Sequence, residues 1–293
     1  MPEIFDRVAI IGIGLIGSSI ARALKEHGVC KEVVVGDISE AHGKRAVELG
    51  LCVAAHTDVA KAVSGADIVV ICTPISTYES IADAIGPALK QGAIVTDVGS
   101  VKQKAIEAVK PRLPKHARWV AGHPVAGTEN SGPDAGFAAL FKGRWAIVTP
   151  EADSDADATA KISAMWTAFG SNVVTMDAEH HDLVLAITSH LPHLIAYTIV
   201  GTADDLETTL KSEVIKFSAG GFRDFTRIAA SDPTMWRDVF LNNKEAVLEM
   251  LQRFTEDLIH LQRAIRWDEG QKLHDLFTRT RGIRRSIIEA KQA

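Results

Sequence analysis

The sequence predicts an α/β domain built on a parallel sheet, followed by an all-α domain. Three observations support this fold class. A glycine-rich turn joins an apolar run to a helical pattern near the N-terminus, apolar strands alternate with helices through the first half, and helical periodicity dominates the second half. We place the domain boundary after Met176, which gives an α/β domain over residues 1–176 and a helical domain over residues 177–293.

Composition and charge narrow the class of protein. The chain has 293 residues, of which 46% are hydrophobic and 24% charged, and its net charge of -5 argues against a nucleic-acid partner. The three cysteines have neither the spacing of a disulfide framework nor that of a metal site. The N-terminus lacks a signal peptide, and we expect no apolar run long enough to span a bilayer. The expected location is therefore the cytoplasm.

The glycine-rich turn has the sequence context of a dinucleotide-binding motif of the Rossmann type. The run Arg7–Ile11 is typical of a strand buried on both faces, and it leads into Gly12-Ile-Gly-Leu-Ile-Gly17 and a helix. Gly12 would make the tight turn, Gly14 would let a pyrophosphate approach the main chain, and Gly17 would let the helix pack closely on the strand. The phosphates would lie at the positive N-terminus of that helix. The alternative is a structural glycine turn in an unrelated α/β domain.

An acidic residue follows at the distance expected for recognition of NAD. A second predicted strand, Glu32–Gly36, is followed by Asp37, which comes 20 residues after Gly17. Its carboxylate would accept hydrogen bonds from the ribose hydroxyls of NAD and would repel the 2′-phosphate of NADP. Residues 38–40 include no arginine, so NAD is the predicted cofactor.

Later strands bring two more segments to the cofactor edge of the sheet. Ligands of parallel sheets bind at the carboxyl ends of the strands, which places Thr73-Pro74 and Asp97–Lys102 at this edge. Ser100 either orients a catalytic histidine near the nicotinamide or caps the next helix, and spacing supports both interpretations equally. The predicted cofactor-binding residues are Gly12, Gly14, Leu15, Ile16, Gly17, Asp37, Thr73 and Pro74.

One histidine stands in a stiff segment of the chain. The short apolar strand Trp119–Ala121 runs into a predicted loop, where His123 lies between Gly122 and Pro124. Pro124 fixes its own φ and favours an extended conformation at His123, so the ring is held in one direction. Imidazole is the side chain best suited to acid–base chemistry near neutral pH. We therefore predict that His123 carries the chemistry.

The helical half contains further histidines. Ser189-His-Leu-Pro-His193 interrupts an apolar helix, and Pro192 removes a main-chain hydrogen bond and should kink the helix there. Such a kink often marks a site, although His190 is also consistent with a core residue. Together with His180 and His181 these residues raise the alternative of a metal site. The His-Glu-x-x-His motif is absent and no cysteine joins the group, so no metal is predicted.

A pair of glycines precedes an arginine-containing stretch. Gly220-Gly221 is followed by Arg223, Asp224 and Arg227, and an arginine beside such a turn suits bidentate capture of a carboxylate. A surface ion pair with Asp224 is the alternative. Ser231-Asp-Pro233 then gives a helix-start signal.

An apolar seam with spacings of three and four residues lies near the C-terminus. Its members are Val247, Leu251, Phe254, Leu258, Leu261 and Ile265. A seam of this kind is buried between helices, and we expect much of it to form a homodimer interface. An intramolecular core helix is the alternative.

Taken together and in order, these motifs resemble the prephenate/arogenate (cyclohexadienyl) dehydrogenases over nearly the whole chain. The segments that carry the resemblance are Gly12–Gly17, Asp97–Lys102, Gly122–Glu129, Ser189–His193 and Asp224–Trp236. The resemblance implies NAD-dependent oxidative decarboxylation of prephenate, arogenate or both in tyrosine biosynthesis. In that reaction hydride leaves C4 of the ring for NAD+, CO2 leaves C1, and the ring becomes aromatic.

The resemblance also implies a role for individual residues. His123 matches the family's base, which accepts the substrate hydroxyl proton and becomes active as it deprotonates near neutral pH, and Ser100 matches the serine that supports it. Arg227 matches the arginine that binds a substrate carboxylate. The remaining matches line the pocket or its mouth, and they are His193, Trp236, Thr128 and Glu129, with Gly220 and Asp224 reaching it from the partner subunit.

Two other functions compete with this interpretation. A β-hydroxyacid or 6-phosphogluconate-type dehydrogenase would centre on a lysine of the helical domain, for which Lys211 and Lys216 are the candidates. An NAD-binding sensor or scaffold would need the glycine turn but not His123, Arg227 and His193. No chorismate mutase domain and no C-terminal regulatory domain is expected, and the sequence does not separate prephenate from arogenate.

Overall fold

The computed structural model describes residues 4–205, 213, 216–217 and 219–289. The chain forms two compact units, Met1–Lys244 and Glu245–Ala293. The first contains a parallel sheet, a smaller mixed sheet and helices, and the described part of the second is helical. The predicted order, an α/β domain followed by helices, is confirmed.

Six strands of the described chain form the parallel sheet, in the order β3-β2-β1-β4-β5-β6. They are β1 (Phe5–Ile11), β2 (Cys30–Gly36), β3 (Ala54–His56), β4 (Ile68–Ile71), β5 (Ile94–Asp97) and β6 (Arg118–Trp119). From β1 the chain adds β2 and β3 on one side of the sheet and then β4, β5 and β6 on the other. Doubly wound sheets bind ligands where the strand order reverses in this way, here between β1 and β4. Ile11 pairs with Gly36 on one side and Ile71 on the other, so three carboxyl ends meet there.

Helices on both faces bury this sheet. They are α1 (Leu15–Glu26), α2 (Glu40–Glu48), α3 (Val59–Val63), α4 (Tyr78–Ile85) and α5 (Lys102–Val109). Val8 and Ile10 of β1 belong to one core cluster, and Ala9 and Ile11 belong to another. This alternation is expected for a strand covered on both faces, and it explains why β1 reads as a continuous apolar run.

A second sheet corrects the prediction for the segment around His123. Its strands are β7 (Ala121–Pro124), β8 (Trp145–Thr149) and β9 (Asn172–Thr175), and α6 (Ala156–Ala168) joins the last two. β7 runs antiparallel to β8, and His123 lies opposite Ile147. His123 therefore belongs to a strand and not to a loop. The chain leaves the first sheet for the second at Val120, which is fully buried.

After β9, most of the described part of the first unit is helical. Its helices are α7 (Ala178–Leu185), α8 (Leu191–Asp204), α9 (Gly220–Thr226) and α10 (Pro233–Asn242). The break predicted at Pro192 takes the form of a π-helical turn, Ala186–His190, with the proline in the first turn of α8. The helix-start signal is confirmed, because the Asp232 carboxylate accepts the Met235 N–H at 2.9 Å.

The C-terminal helices expose much of the predicted seam. They are α11 (Lys244–Arg266) and α12 (Gly270–Glu289). Val247 is buried, whereas Leu258 is 47% exposed and Ile265 is 64% exposed. The chain itself therefore covers only part of this apolar surface.

One helical run among the described residues is long and apolar enough to cross a membrane, contrary to the expectation from the sequence. Residues Ala178–Asp204 have a mean hydropathy of 1.6 in their most apolar window, and 28% of that window is buried. A single run of this kind is weak support for insertion, because helices in protein cores meet the same criterion. This run also carries the ionisable side chains His181, Asp182 and His190, all of which are buried.

Candidate active site

The glycine turn has the geometry that a dinucleotide site requires. Gly12 has a φ of +92°, and a Cβ there would lie 2.8 Å from Cγ2 of Thr73 and 2.9 Å from the Cys72 carbonyl oxygen, so only glycine fits. A Cβ at Gly17 would lie 2.1 Å from the Gly12 carbonyl oxygen, which explains how α1 starts directly against β1. A Cβ at Gly14 would meet nothing within 4 Å. Open space therefore lies before the N-terminus of α1, where a phosphate would bind.

The Asp37 carboxylate is fixed beside this turn. Its Oδ2 accepts the Ile13 N–H at 2.8 Å and its Oδ1 accepts the Ser39 N–H at 2.9 Å. The side chain is 11% exposed, and His42 Nδ1 lies 3.8 Å from Oδ1. Asp37 directly follows β2, at the position predicted for contact with a ribose.

The other predicted cofactor-binding residues lie around the same edge. Leu15 and Ile16 form the first turn of α1, and Thr73 and Pro74 directly follow β4. The Thr73 hydroxyl accepts a hydrogen bond from the Thr77 hydroxyl at 2.8 Å. The structure therefore brings the whole predicted set to the switch point of the sheet.

The predicted base, His123, is buried and contacts a second histidine. Its Nδ1 lies 2.9 Å from Nε2 of His181, which is 58 residues further along the chain. The two ring planes meet at 65°. Among the described residues no hydrogen bond joins the Ser100 hydroxyl to His123, and the hydrogen-bond partner of His123 is His181.

A carboxylate fixes the proton positions in this histidine pair. Nδ1 of His181 lies 2.8 Å from Oδ1 of Asp182, and an ionised carboxylate only accepts hydrogen bonds, so this Nδ1 carries a proton. Nε2 of the neutral His181 ring is then an acceptor, and Nδ1 of His123 must donate to it. Nε2 of His123 is consequently the unprotonated nitrogen, which is the atom that a general base uses.

Asp182 also caps helix α5. Its carboxylate accepts the Lys102 N–H at 2.7 Å and the Gln103 N–H at 3.0 Å, which are free donors in the first turn of that helix. Val101 is the N-terminal cap residue, without a side-chain hydrogen bond. The alternative that Ser100 caps the next helix is therefore wrong, because a carboxylate from α7 caps it instead.

Burial keeps the imidazoles of the site neutral. Burial lowers the pKa of His123 well below 6.5, and the nearby His181, Lys102 and His190 lower it further. Burial also lowers the pKa of His181, against the opposing effect of Asp182. The sequence suggested a His123 pKa near neutrality, and the structure corrects this, because a ring without solvent loses the hydration of its charged form.

A buried ionic network lies beneath β7. The ammonium of Lys102 contacts Oδ2 of Asp97 and donates to the Gly122 carbonyl at 2.6 Å. The Tyr78 hydroxyl donates to the same Oδ2 at 3.1 Å, and the Gly122 N–H donates to Oδ1 at 3.1 Å. Lys102, Asp97 and Tyr78 are all fully buried. The sequence predicted only that the segment Asp97–Lys102 lies at the cofactor edge. The structure shows that Asp97 binds Lys102, Tyr78 and Gly122 below that edge.

A second polar contact supports the helical side of the site. The Asn243 amide donates to the Asp182 carbonyl oxygen at 2.8 Å, and its nitrogen lies 3.0 Å from Nδ1 of His190. Nδ1 of His190 therefore accepts, its proton is on Nε2, and the main chain of Ser100 lies close enough to this ring to oppose the lowering of its pKa. Burial lowers the pKa of His190 to about 4. His190 is thus a buried neutral residue, as the core interpretation suggested, but it lies within the site.

Two of the predicted pocket residues stack on each other. The His193 and Trp236 rings have centroids 3.6 Å apart and an interplanar angle of 21°. Nδ1 of His193 lies 2.8 Å from the Ser189 carbonyl oxygen, so Nε2 is the free nitrogen. Burial lowers the pKa of His193, the Ser189 carbonyl opposes this, and the charge of Arg227 lowers it further. His193, Trp236 and Arg227, three of the predicted substrate-binding residues, therefore lie in one region.

The predicted carboxylate-binding arginine is exposed and is paired with the mouth loop. Nη1 of Arg227 lies 3.0 Å from Oε2 of Glu129, and the Arg227 side chain is 60% exposed. The alternative of an ion pair between an arginine here and Asp224 is not seen among the described salt bridges. The contact across 98 residues brings together two residues that the resemblance assigned to the substrate site.

The remaining predicted residues lie at the surface around this pair. The Thr128 hydroxyl accepts the Asn130 N–H at 3.3 Å in the loop after β7. Gly220 begins α9 and Asp224 is exposed on the same helix. Lys211 lies outside the described residues, and Lys216 is exposed with its ammonium 5.3 Å from the centre of the Phe217 ring. Over the described residues no cluster of three potential metal ligands occurs.

Several residues of the site were missed in the sequence. His181 entered only through the metal alternative, and Asp182, Asn243 and Tyr78 were not singled out. One local signal was available. His181 and Asp182 are adjacent in α7, whose N-terminal cap is Asp177, and an imidazole beside a carboxylate is a common pair in active sites. Lys102 belonged to the segment predicted at the cofactor edge, but the sequence analysis gave it no role of its own.

Known proteins resemble this chain over almost its whole length. One family model, described as prephenate dehydrogenase, nucleotide-binding domain, matches residues 20–175, and another, described as prephenate dehydrogenase, dimerization domain, matches residues 177–279. A cyclohexadienyl dehydrogenase from Zymomonas mobilis is 44% identical over 286 residues, which cover 97% of this chain and 97% of that protein.

Solved structures show the same relationship. The crystal structure of prephenate dehydrogenase from Aquifex aeolicus in complex with hydroxyphenyl propionate and NAD+ has a TM-score of 0.89 and 34% identity, covering 96% of this chain and 98% of that one. The arogenate dehydrogenase of Synechocystis has a TM-score of 0.79 and 27% identity, covering 95% and 98%. By the matched domains, the identity and the shared fold, this chain belongs to the prephenate dehydrogenase family.

Proposed function

We propose that this chain catalyses the NAD-dependent oxidative decarboxylation of prephenate, arogenate or both, in tyrosine biosynthesis. Membership of the family makes the chain an NAD-dependent oxidoreductase. The observation that carries the proposal is the buried, neutral His123, whose Nε2 is left unprotonated by the chain of contacts through His181 to Asp182. The same chain has the glycine turn Gly12–Gly17 after β1, where the strand order of the sheet reverses and a dinucleotide would bind.

The residues at the sheet edge fit NAD. The space before Gly14 and the free N-terminus of α1 suit a pyrophosphate, and the Asp37 carboxylate suits a pair of ribose hydroxyls. The same carboxylate disfavours the extra phosphate of NADP. When bound, NAD+ accepts a hydride. The proposed cofactor contacts also include Leu15, Ile16, Thr73 and Pro74.

His123 would manage the substrate hydroxyl proton. Loss of hydride from C4 converts the carbon bearing this hydroxyl toward a carbonyl, so Nε2 of His123 accepts the proton as the C–H bond breaks. Loss of CO2 from C1 then sends an electron pair into the ring, and the protonated His123 returns its proton to the oxygen of the aromatic product. A positioned base of this kind contributes roughly 10²- to 10⁴-fold. Ser100 is proposed to support His123 in this step.

The charges of the substrate need cations at the mouth of the site. Arg227 is proposed to bind a substrate carboxylate, and its present partner, Glu129, would be exchanged for that carboxylate. His193 and Trp236 would form the wall of the pocket through their stacked rings. Thr128 lies in the mouth loop and is proposed to contact the substrate from there.

A homodimer is the proposed assembly. Its support is the family description of the second domain and the exposed seam positions Leu258 and Ile265 of α11. In this assembly Gly220 and Asp224 would reach the site of the partner subunit. We also propose a domain boundary after Met176, supported by the ranges of the two family models, and a cytoplasmic location.

The test is formation of NADH with prephenate and with arogenate, each with NAD+ and with NADP+. The proposal expects turnover with at least one substrate and a preference for NAD+. Turnover with both substrates would identify a broad-specificity enzyme. Binding of NAD+ without turnover of either substrate would overturn the proposal and favour a sensor or scaffold. Turnover of a hydroxyacid but of neither cyclohexadienol would also overturn it and would favour a hydroxyacid dehydrogenase.

A further inference from the structure

We propose that Lys102 is a positioning residue for His123, which it holds through the Gly122 carbonyl and through the carboxylate that orders the histidine pair. The inference rests on the proposed function for its activity measurements. It assigns a role in catalysis to a lysine that touches neither predicted substrate residues nor the predicted cofactor residues. Two separate groups of Lys102, its ammonium and its main-chain N–H, carry the argument.

The ammonium fixes the peptide before His123. It donates to the Gly122 carbonyl at 2.6 Å, while Asp97, to which the ammonium is also bound, accepts the Gly122 N–H at 3.1 Å. Both main-chain polar groups of Gly122 therefore belong to the buried Lys102–Asp97 pair. A Cβ at Gly122 would lie 3.3 Å from the Asp97 carbonyl oxygen, so β7 also packs tightly on the end of β5. Movement of this pair would move the strand that carries His123.

The main-chain N–H of Lys102 fixes the other end of the histidine pair. It donates to Oδ1 of Asp182 at 2.7 Å, and this same oxygen lies 2.8 Å from Nδ1 of His181. His181 then accepts from His123. A single residue is thus bound to the strand before the base and to the carboxylate behind its partner. The distance between the two rings depends on both contacts.

Burial of the Lys102 ammonium has a desolvation cost, which its contacts must offset. Lys102 and Asp97 are both completely buried, and ion pairs of this kind are often no more stabilising than an apolar pair of the same size. Burial lowers the pKa of Lys102, and Asp97 opposes this effect. A methionine of similar length would fill the space without a charge. Retention of a charge at this position is better explained by the contacts that an ammonium makes with Gly122 and Asp97.

The charge also acts on the base. The groups that face His123 are the ring of His181, the ring of His190 and the ammonium of Lys102, while Asp97 and Asp182 hold the far sides of the network. A fixed cation beside an imidazole disfavours the imidazolium. Lys102 therefore acts in the same direction as burial and keeps Nε2 of His123 available to accept a proton.

The test compares Lys102→Met with Lys104→Met in the intact protein. Lys104 lies on the same helix but pairs with Glu79 and Glu107 at the surface, so its variant is the matched control. We expect Lys102→Met to lower kcat on the order of 10²-fold with little change in KM, since it displaces the base and not the substrate. The acid limb of the kcat profile should move to higher pH, and Lys104→Met should change neither quantity.

A second variant separates this role from folding. Lys102→Met leaves Asp97 buried without its partner, so Lys102→Met/Asp97→Asn removes both charges together. Nitrogen NMR of the histidine rings in the free protein should show the His123 titration at higher pH in either folded variant, and this readout needs no substrate. Wild-type kcat and wild-type ring titration in the double variant would overturn the proposal, as would failure of both variants to fold or a loss of kcat with an unchanged titration. If the wild-type protein turned over neither substrate while the ring titration still moved, the proposed function would fail and the positioning role would stand.

Discussion

Nδ1 of His123 donates to Nε2 of His181 across 2.9 Å, and this contact gives the predicted base its direction. Because Nδ1 is occupied by the proton it donates, the lone pair of His123 is confined to Nε2. His181 is itself held by Asp182, whose carboxylate also caps α5. The protonation pattern of the site is therefore set by the packing of α5 and α7 against β7.

Replacement of His181 by phenylalanine should impair turnover while the fold is kept. Phenylalanine has a similar shape but no acceptor for the His123 Nδ1–H, and loss of a hydrogen bond that is charged in the transition state costs about 1.5–3 kcal/mol. We expect kcat to fall roughly ten- to a hundredfold. His123→Asn should be more severe, on the order of 10²-fold or greater, with NAD+ binding intact. Equal activity of His181→Phe and the wild type in steady-state assays would exclude the proposed orientation.

The pH dependence of kcat/KM should show a base that works at mildly acidic pH. The active form of His123 is neutral, so activity falls as pH falls through its pKa. Burial, followed by His181, Lys102 and His190, lowers that pKa well below 6.5. The acid limb, which reports the free enzyme, should therefore lie well below 6.5. A limb centred at or above 6.5 in a profile measured from pH 4 to 9 would show that the site is more hydrated than its burial indicates.

Arg227→Gln should chiefly raise KM. The substitution removes the charge proposed to bind a substrate carboxylate but leaves His123 in place, and a lost charge-assisted hydrogen bond costs about 1.5–3 kcal/mol, or roughly ten- to a hundredfold in KM. Arg223→Gln, one turn earlier on α9, is the matched control and should have little effect. Steady-state kinetics with the accepted substrate decides between them. An unchanged KM for Arg227→Gln would remove the carboxylate assignment.

Stability should decrease as pH falls below 6.5. Burial lowers the pKa of His123, His181, His190 and His193 in the folded state, and for His190 the value is about 4. Below 6.5 the unfolded chain binds protons that the folded chain excludes, so the free energy of unfolding falls, by about 1.4 kcal/mol per pH unit for each fully shifted group. For His190 this loss continues to about pH 4. Urea unfolding between pH 5 and pH 8 measures the slope, and His190→Gln should make it shallower. A flat profile over this range would contradict the burial of these rings.

The parts of the molecule that could be predicted are those whose signal is local. The roles of Gly12 and Gly17 follow from one turn between one strand and one helix, and the structure shows the close approaches that exclude a side chain there. Asp37 was located by its spacing from the same turn. Helix starts such as Asp232 depend on only four residues. Each of these features is decided within a short segment of chain.

The missed parts depend on distant segments. Asp182 caps α5, a helix that begins 80 residues earlier in the chain. No pattern in the sequence around Ser100 shows that a distant carboxylate, and not Ser100, caps this helix. The change of sheet at Val120 is invisible to periodicity because the residues on both sides are buried alike. The role of His123 therefore stays a prediction, whereas its place in a strand and its contact with His181 were not predicted.

The π-helical turn at Ala186–His190 holds one residue more than an ordinary turn would, and this changes the angular phase of everything after it. An α-helix advances about 100° per residue, so the insertion rotates α8 by about that angle relative to an unbroken helix. His181 and His193 therefore lie on two helical segments that differ in phase. Removal of a single residue from this turn would restore a regular helix and carry His193 away from Trp236. In this chain, the length of one helical turn therefore sets the angle between the segment that carries His181 and the segment that carries His193.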